Sequence, residues 1–139
     1  MASECNNGSL APCSEEITNI PFQAISSSNA LTCSLQNINE DELIVNLVIN
    51  SQTDFEKYVK CSDENLPSIN FSENTLLAGR VISPNCGIIK NQAINKHCQD
   101  YIFTVKLEPG VCGAVTQVSY FAITSKIPNS SNIEFNIQQ

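Results

Sequence analysis

Apolar and polar positions alternate most regularly in the second half of the chain. In "YIFTVKL" (101–107), Tyr101, Phe103, Val105 and Leu107 fall on one side, and Thr104 and Lys106 on the other. A period of two is the signature of a strand with one buried face. "IEFNI" (133–137) repeats it with Ile133, Phe135 and Ile137. "INFSENTLLAGRVIS" (69–83) predicts a strand centred on 75–82, and "GIIKNQAIN" (87–95) a weaker one. "AVTQVSYFAITSKI" (114–127) predicts a long strand. Its apolar parity shifts near Ser119, which suggests a bulge there. "EPG" (108–110) and "PNSSN" (128–132) supply turn chemistry between these runs.

The first half is less even. "ITNIPFQAI" (17–25) predicts a short extended piece, and Pro21 lacks a backbone donor, which places it at an edge. "SSSNALTCSLQNINEDE" (26–42) reads as loop. "LIVNLVIN" (43–50) is apolar on both faces, with Leu43, Val45, Leu47 and Ile49 on one and Ile44 and Val48 on the other. That pattern predicts a central strand covered on both sides. Thr53 and Glu56 form a capping box, and Phe55, Tyr58 and Val59 make an apolar stripe. A helix near 53–60, docked on the sheet, follows from them. "SDENLPS" (62–68) reads as loop.

Strands joined by turns too short for parallel crossovers, with one early helix, predict the α+β class. The expected architecture is a mostly antiparallel sheet, a meander in its C-terminal half, with one short helix. Residues 1–16 read as an irregular arm, and 17–139 as a single domain. The length of 139 residues fits one core.

Composition sharpens the picture. The chain is 42% hydrophobic and 15% charged, which excludes wholesale disorder. No apolar run approaches 18 residues, so no transmembrane segment is expected in this chain. The net charge of −7 argues against a nucleic-acid partner, because an acidic, lysine-poor protein repels phosphate backbones. Residues 1–73 carry eleven acids and two lysines, whereas residues 74–139 carry three acids and five basic residues. Two differently solvated faces explain that more simply than an acidic docking surface.

Seven cysteines point to an oxidising compartment: extracellular, periplasmic or cell-surface. The start "MASECNNGS" has neither a basic nor an apolar leader region, so an exported protein would be represented here in mature form. Cys5 stands where a lipid-bearing cysteine would stand, but Glu4 precedes it where cleavage prefers a small residue.

The densest chemistry lies in "SPNCGIIKNQAINKHCQDYIF" (83–103), which holds the only histidine. A zinc site would need Cys86, His97, Cys98 and Cys112. Adjacent strand residues point to opposite faces, so His97 and Cys98 are poor partners in one coordination sphere. A Cys–His nucleophile would rest on His97 alone, with no cysteine marked as activated. Disulfides are the preferred reading. Cys86–Cys98 is the first expectation, closing the loop between two strands taken as antiparallel neighbours, for about 3 kcal/mol. Cys86–Cys112 is the second, and Cys33–Cys61 and Cys5–Cys13 are companions. Sequence spacing leaves the connectivity open.

Acidic clusters at 39–42 and 62–65 lack EF-hand spacing and read as solvated loops. Sequons stand at Asn7, Asn70 and Asn129. P-loop, dinucleotide, zinc-protease and nucleophile-elbow motifs are missing from the sequence. No cofactor and no catalytic residue is therefore expected.

Two segments carry a resemblance. "IPFQAISSSNA" with "LIVNLVINSQTDFEKYV" looks like bacterial envelope proteins that begin with a Pro-Phe pair, followed by a strand and a capped helix. "INFSENTLLAGRV" with "AVTQVSYFAITSKI" and "IEF" is similar to the C-terminal domain of the protease complex subunit PrcB family. These are secreted proteins or lipoproteins, many from Bacteroidetes. The resemblance implies a non-catalytic protein that binds and stabilises a protease complex at the cell surface. The chain departs from the family pattern at "SPNCGIIKN" (83–91), where a Gly-rich turn is expected, and at Val118, where a proline often stands. A binding module is thus the leading expectation, ahead of a structural domain of an envelope lipoprotein and a Cys–His enzyme.

Overall fold

Alternation becomes layering in the computed structural model, which describes residues 13, 16–25, 33–62 and 68–139. The strands are β1 (Thr18–Ile20), β2 (Phe22–Ala24), β3 (Cys33–Leu35), β4 (Ile44–Ile49), β5 (Val59–Cys61), β6 (Asn74–Ser83), β7 (Ile88–His97), β8 (Asp100–Glu108), β9 (Thr116–Ser125) and β10 (Asn132–Gln138). One helix, α1 (Gln52–Tyr58), precedes β5. The mostly antiparallel sheets, with one short helix among the described residues, give the α+β class. Most of the arm 1–16, and with it Cys5, lies outside the described residues.

One sheet has the order β1-β7-β8-β10, a second β2-β9-β6-β4, and β3 with β5 forms a two-stranded ribbon. The second sheet is the middle layer. Leu77, Val81, Tyr120 and Ala122 pack on Ile94, Phe103 and Val105 of the first sheet. On the opposite face, Leu76, Ala78 and Phe121 pack on Phe55 of α1 and on Leu35 and Val59 of the ribbon. Covered on both sides, β6 is buried at every position from Thr75 to Val81.

The same two-faced burial corrects the expected bulge near Ser119. β9 runs in unbroken register with β6 from Thr116↔Ser83 to Ser125↔Asn74. The parity shift arises because Tyr120 and Ala122 enter one core while Phe121 enters the other. The irregularity lies instead in β7, between Ile89 and Asn91.

β4 is an edge strand and not a central one. Val45, Leu47 and Ile49 pack on the helix side. The opposite face is thinly covered, with Ile44 42% and Val48 40% exposed. β10 runs parallel to β8, with Phe135↔Phe103 in register. No single turn makes this parallel crossover: β9, which lies in the other sheet between β8 and β10 in the chain, serves as the connection.

The helix starts one residue early. Ser51 is the N-cap, and its side chain accepts from Asp54 N at 3.1 Å. Thr53 therefore lies inside the first turn, and the helix gives way at Val59 to β5. Pro21 separates β1 from β2, so seven residues close a seam between both sheets. Within the segment read as loop, Cys33–Leu35 is a strand paired with β5.

Candidate functional site

The cysteines are fixed by strand direction. β7 is ten residues long, and Cys86 precedes it while Cys98 follows it. At roughly 3.3 Å per residue those two cysteines lie some 33 Å apart. The expected Cys86–Cys98 bridge assumed that β6 and β8 were neighbours. They belong to different sheets, and β7 pairs with β8. Because β8 returns antiparallel to β7, with Ile88↔Glu108 in register, Cys112 comes back to Cys86. Cys86–Cys112 is bridged with Cα atoms 5.7 Å apart.

Cys33 and Cys61 are direct register partners in the ribbon and are bridged. Cys13 bonds to Cys98, which replaces the expected Cys5–Cys13 pair and ties residue 13 to the tip of the β7–β8 hairpin. Bridging a sequence separation of 85 restricts the unfolded chain far more than a local pair eight residues apart would.

This geometry splits the four residues weighed for zinc. Cys86 and Cys112 lie at one end of β7, and His97 and Cys98 at the other. At the hairpin tip, ligand atoms of Cys13, His97 and Cys98 lie within 4.8 Å of one another. Sequence reasoning missed that convergence because it applied strand alternation to His97 and Cys98, which its own strand bounds leave between 87–95 and 101–107. Cys98 stands in the two-residue turn between His97 and Asp100, with φ of 58°. In the oxidised protein both sulfurs belong to the bridge, so neither is a thiolate ligand or nucleophile.

A cleft of about 800 Å³ opens where the two main sheets diverge beyond the Pro21 seam. Its walls include Ile88, Ile89 and Gln92 of β7 and Val118 and Tyr120 of β9, with Ser34 of the ribbon nearby. β2 covers only the far half of β9, from Thr124 to Ala122. Ile25 N adds one more bond, to Phe121 O at 3.3 Å. By strand alternation the N–H and C=O of Ser119 and Gln117 point the same way as those of Phe121, away from β6. Among the described residues no strand pairs with that half of the edge. Gln92 Oε1 is buried there without a hydrogen-bond partner among the described residues.

Among the buried polar side chains of the middle sheet are Tyr120 and Arg80. Tyr120, 1% exposed, donates to Asn46 Oδ1 at 2.7 Å. Burial pushes the Tyr120 phenol well above its ordinary value, and the nearby Arg80 guanidinium offsets a smaller part of that shift. Arg80 is also 1% exposed, and its Nη2 donates to Asn39 O at 3.2 Å. That contact anchors the acidic loop 39–42, whose own carboxylates are exposed. The second acidic cluster, 62–65, falls mostly outside the described residues.

Compared with known proteins, the chain matches no family model, no curated protein and no solved structure. No helix among the described residues is long and apolar enough to cross a membrane.

Proposed function

We propose that this chain is a non-catalytic binding domain of an exported protein, holding a polypeptide partner outside the cytoplasm or at the cell surface. The observation that carries this reading is the open half of β9. Gln117 and Ser119 turn main-chain donors and acceptors into an apolar-walled cleft, beside the buried carbonyl of Gln92. An extended peptide satisfies such groups by adding a strand, with its alternate side chains taking up the flanking pockets. A small apolar ligand would leave them unpaired, at about 1–3 kcal/mol for each buried group.

Three bridges support export, since such staples persist in oxidising compartments. The resemblance carried by "INFSENTLLAGRV" and "AVTQVSYFAITSKI" supports a protease assembly as the partner class.

The test is Gln117→Pro. Proline removes the outward N–H of β9 without removing a bond to β6, and edge strands tolerate it. Tagged wild-type domain incubated with native envelope extract should retain a stoichiometric polypeptide partner, and the folded variant should lose it. Equal recovery by both proteins, or no stoichiometric partner on the wild type, contradicts the reading.

A further inference from the structure

The tip of the β7–β8 hairpin holds a second arrangement, independent of the cleft. Cys13, His97 and Cys98 come together there, with their ligand atoms within 4.8 Å of one another. Neighbouring residues of an extended strand diverge, so the convergence of His97 and Cys98 needs a break in the strand. The φ of 58° at Cys98 supplies it. Few residues other than glycine adopt that region, and here the Cys13 bridge holds Cys98 in place.

We propose that reduction of the Cys13–Cys98 bridge converts this turn into a three-ligand site for a thiophilic d10 cation of the Zn²⁺ and Cu⁺ class. A dithiol reductant delivers two electrons and two protons to the bridge and becomes a disulfide itself. The cation then displaces both thiol protons and takes the neutral imidazole of His97 as its third ligand. Two thiolates and one imidazole are the soft donor set such ions select. Metal–sulfur bonds of about 2.3 Å and metal–nitrogen bonds of about 2.0 Å put neighbouring donors roughly 3.5–3.8 Å apart. The two sulfurs, bonded in the oxidised form, separate to that spacing, and the imidazole of His97 closes to it. A fourth position stays open to water or to a ligand from outside.

Access and composition set this bridge apart from the other two. Cys13 and His97 are exposed and Cys98 is half-buried, so a dithiol can reach it. Cys33 and Cys61 are each 8% exposed inside a core. Cys86–Cys112 lies at the opposite end of β7, away from the only histidine. Binding to the reduced form alone would draw the thiol–disulfide equilibrium toward the open bridge. The same two cysteines would thus staple residue 13 to the hairpin when oxidised and hold a metal when reduced.

The experiment uses the full chain with Cys5→Ser, Cys86→Ser and Cys112→Ser, leaving Cys13–Cys98 as its only accessible bridge. After limited dithiothreitol treatment and anaerobic removal of the reductant, Zn²⁺ and Cu⁺ are titrated in competition with a chromophoric chelator. Co²⁺ serves as the spectroscopic reporter of thiolate ligation. One equivalent of either ion is expected to bind the reduced protein and none the oxidised one. His97→Ala should weaken binding by at least roughly tenfold, the loss that follows when even a residue supporting a metal ligand is removed. Where the triple variant does not fold, wild-type protein is reduced to the same limit, and mass mapping identifies which bridge has opened. No stoichiometric uptake after opening of Cys13–Cys98 overturns the proposal. So does equal uptake by the oxidised protein, or undiminished affinity in His97→Ala.

Discussion

The hydroxyl of Tyr120 reaches across β6 to donate a 2.7 Å hydrogen bond to Asn46 Oδ1 on β4. The two residues flank Gly79 in one row of the sheet, Asn46↔Gly79↔Tyr120. Three strands are therefore tied by one side chain beneath the inter-sheet core. Burial raises the phenol's pKa above its ordinary 10.0, so the fold excludes the phenolate. A folded-state pKa raised in this way leaves the stability of this contact complete below pH 10. The contribution then declines as the pH rises further. Tyr120→Phe should lose about 1 kcal/mol at neutral pH. It should also show a shallower loss of stability between about pH 10 and 12 than the wild type. Urea unfolding across that range checks both.

Gly79 is where that tyrosine crosses the strand. A Cβ there would overlap the Tyr120 ring and lie 2.6 Å from Asn46 Oδ1. Neither neighbour can retreat without breaking the hydrogen bond or entering the core. Gly79→Ala should cost about 1–3 kcal/mol through overpacking, measurable as a lower urea midpoint at unchanged slope.

Arg80 makes the opposite case. Its guanidinium is buried, donates once, to Asn39 O, and leaves Nε and Nη1 without partners among the described residues. Burying a charge so incompletely paired is costly. Arg80→Met, which keeps the volume and drops the charge, should fall within about 1 kcal/mol of the wild type or above it. Arg80→Ala leaves a cavity and should lose about 2–5 kcal/mol. Chemical unfolding of the two variants side by side checks the ordering.

The helix cap separates two serviceable residues. Ser51→Ala should cost about 1 kcal/mol, because the Asp54 amide loses its acceptor. Thr53→Ala should change stability by no more than about 0.5 kcal/mol, since Thr53 is exposed inside the first turn. Equal losses at both positions would restore Thr53 as the cap.

Much of this fold was legible where one face is buried and one is wet. Tyr101, Phe103, Val105 and Leu107 are all buried, as their alternation required. The pattern misled where that condition fails. β9 meets a core on each face, so its double periodicity imitated a bulge. β4 has the composition of a covered strand, yet it ends the sheet with Ile44 and Val48 half open to solvent. The ribbon strands are three residues each, too short for any period to register. The candidate sites were less legible still. The open half of β9 depends on where β2 stops, and the meeting of His97 with Cys98 depends on one backbone angle. Neither leaves a trace in residue spacing.

Disulfide connectivity in native material tests the account most directly, since compartment, strand order and the hairpin site all depend on it. Non-reducing digestion followed by mass mapping should recover Cys13–Cys98, Cys33–Cys61 and Cys86–Cys112 as linked peptides. A Cys86–Cys98 peptide would contradict the sheet topology, and fully reduced cysteines in native protein would contradict export.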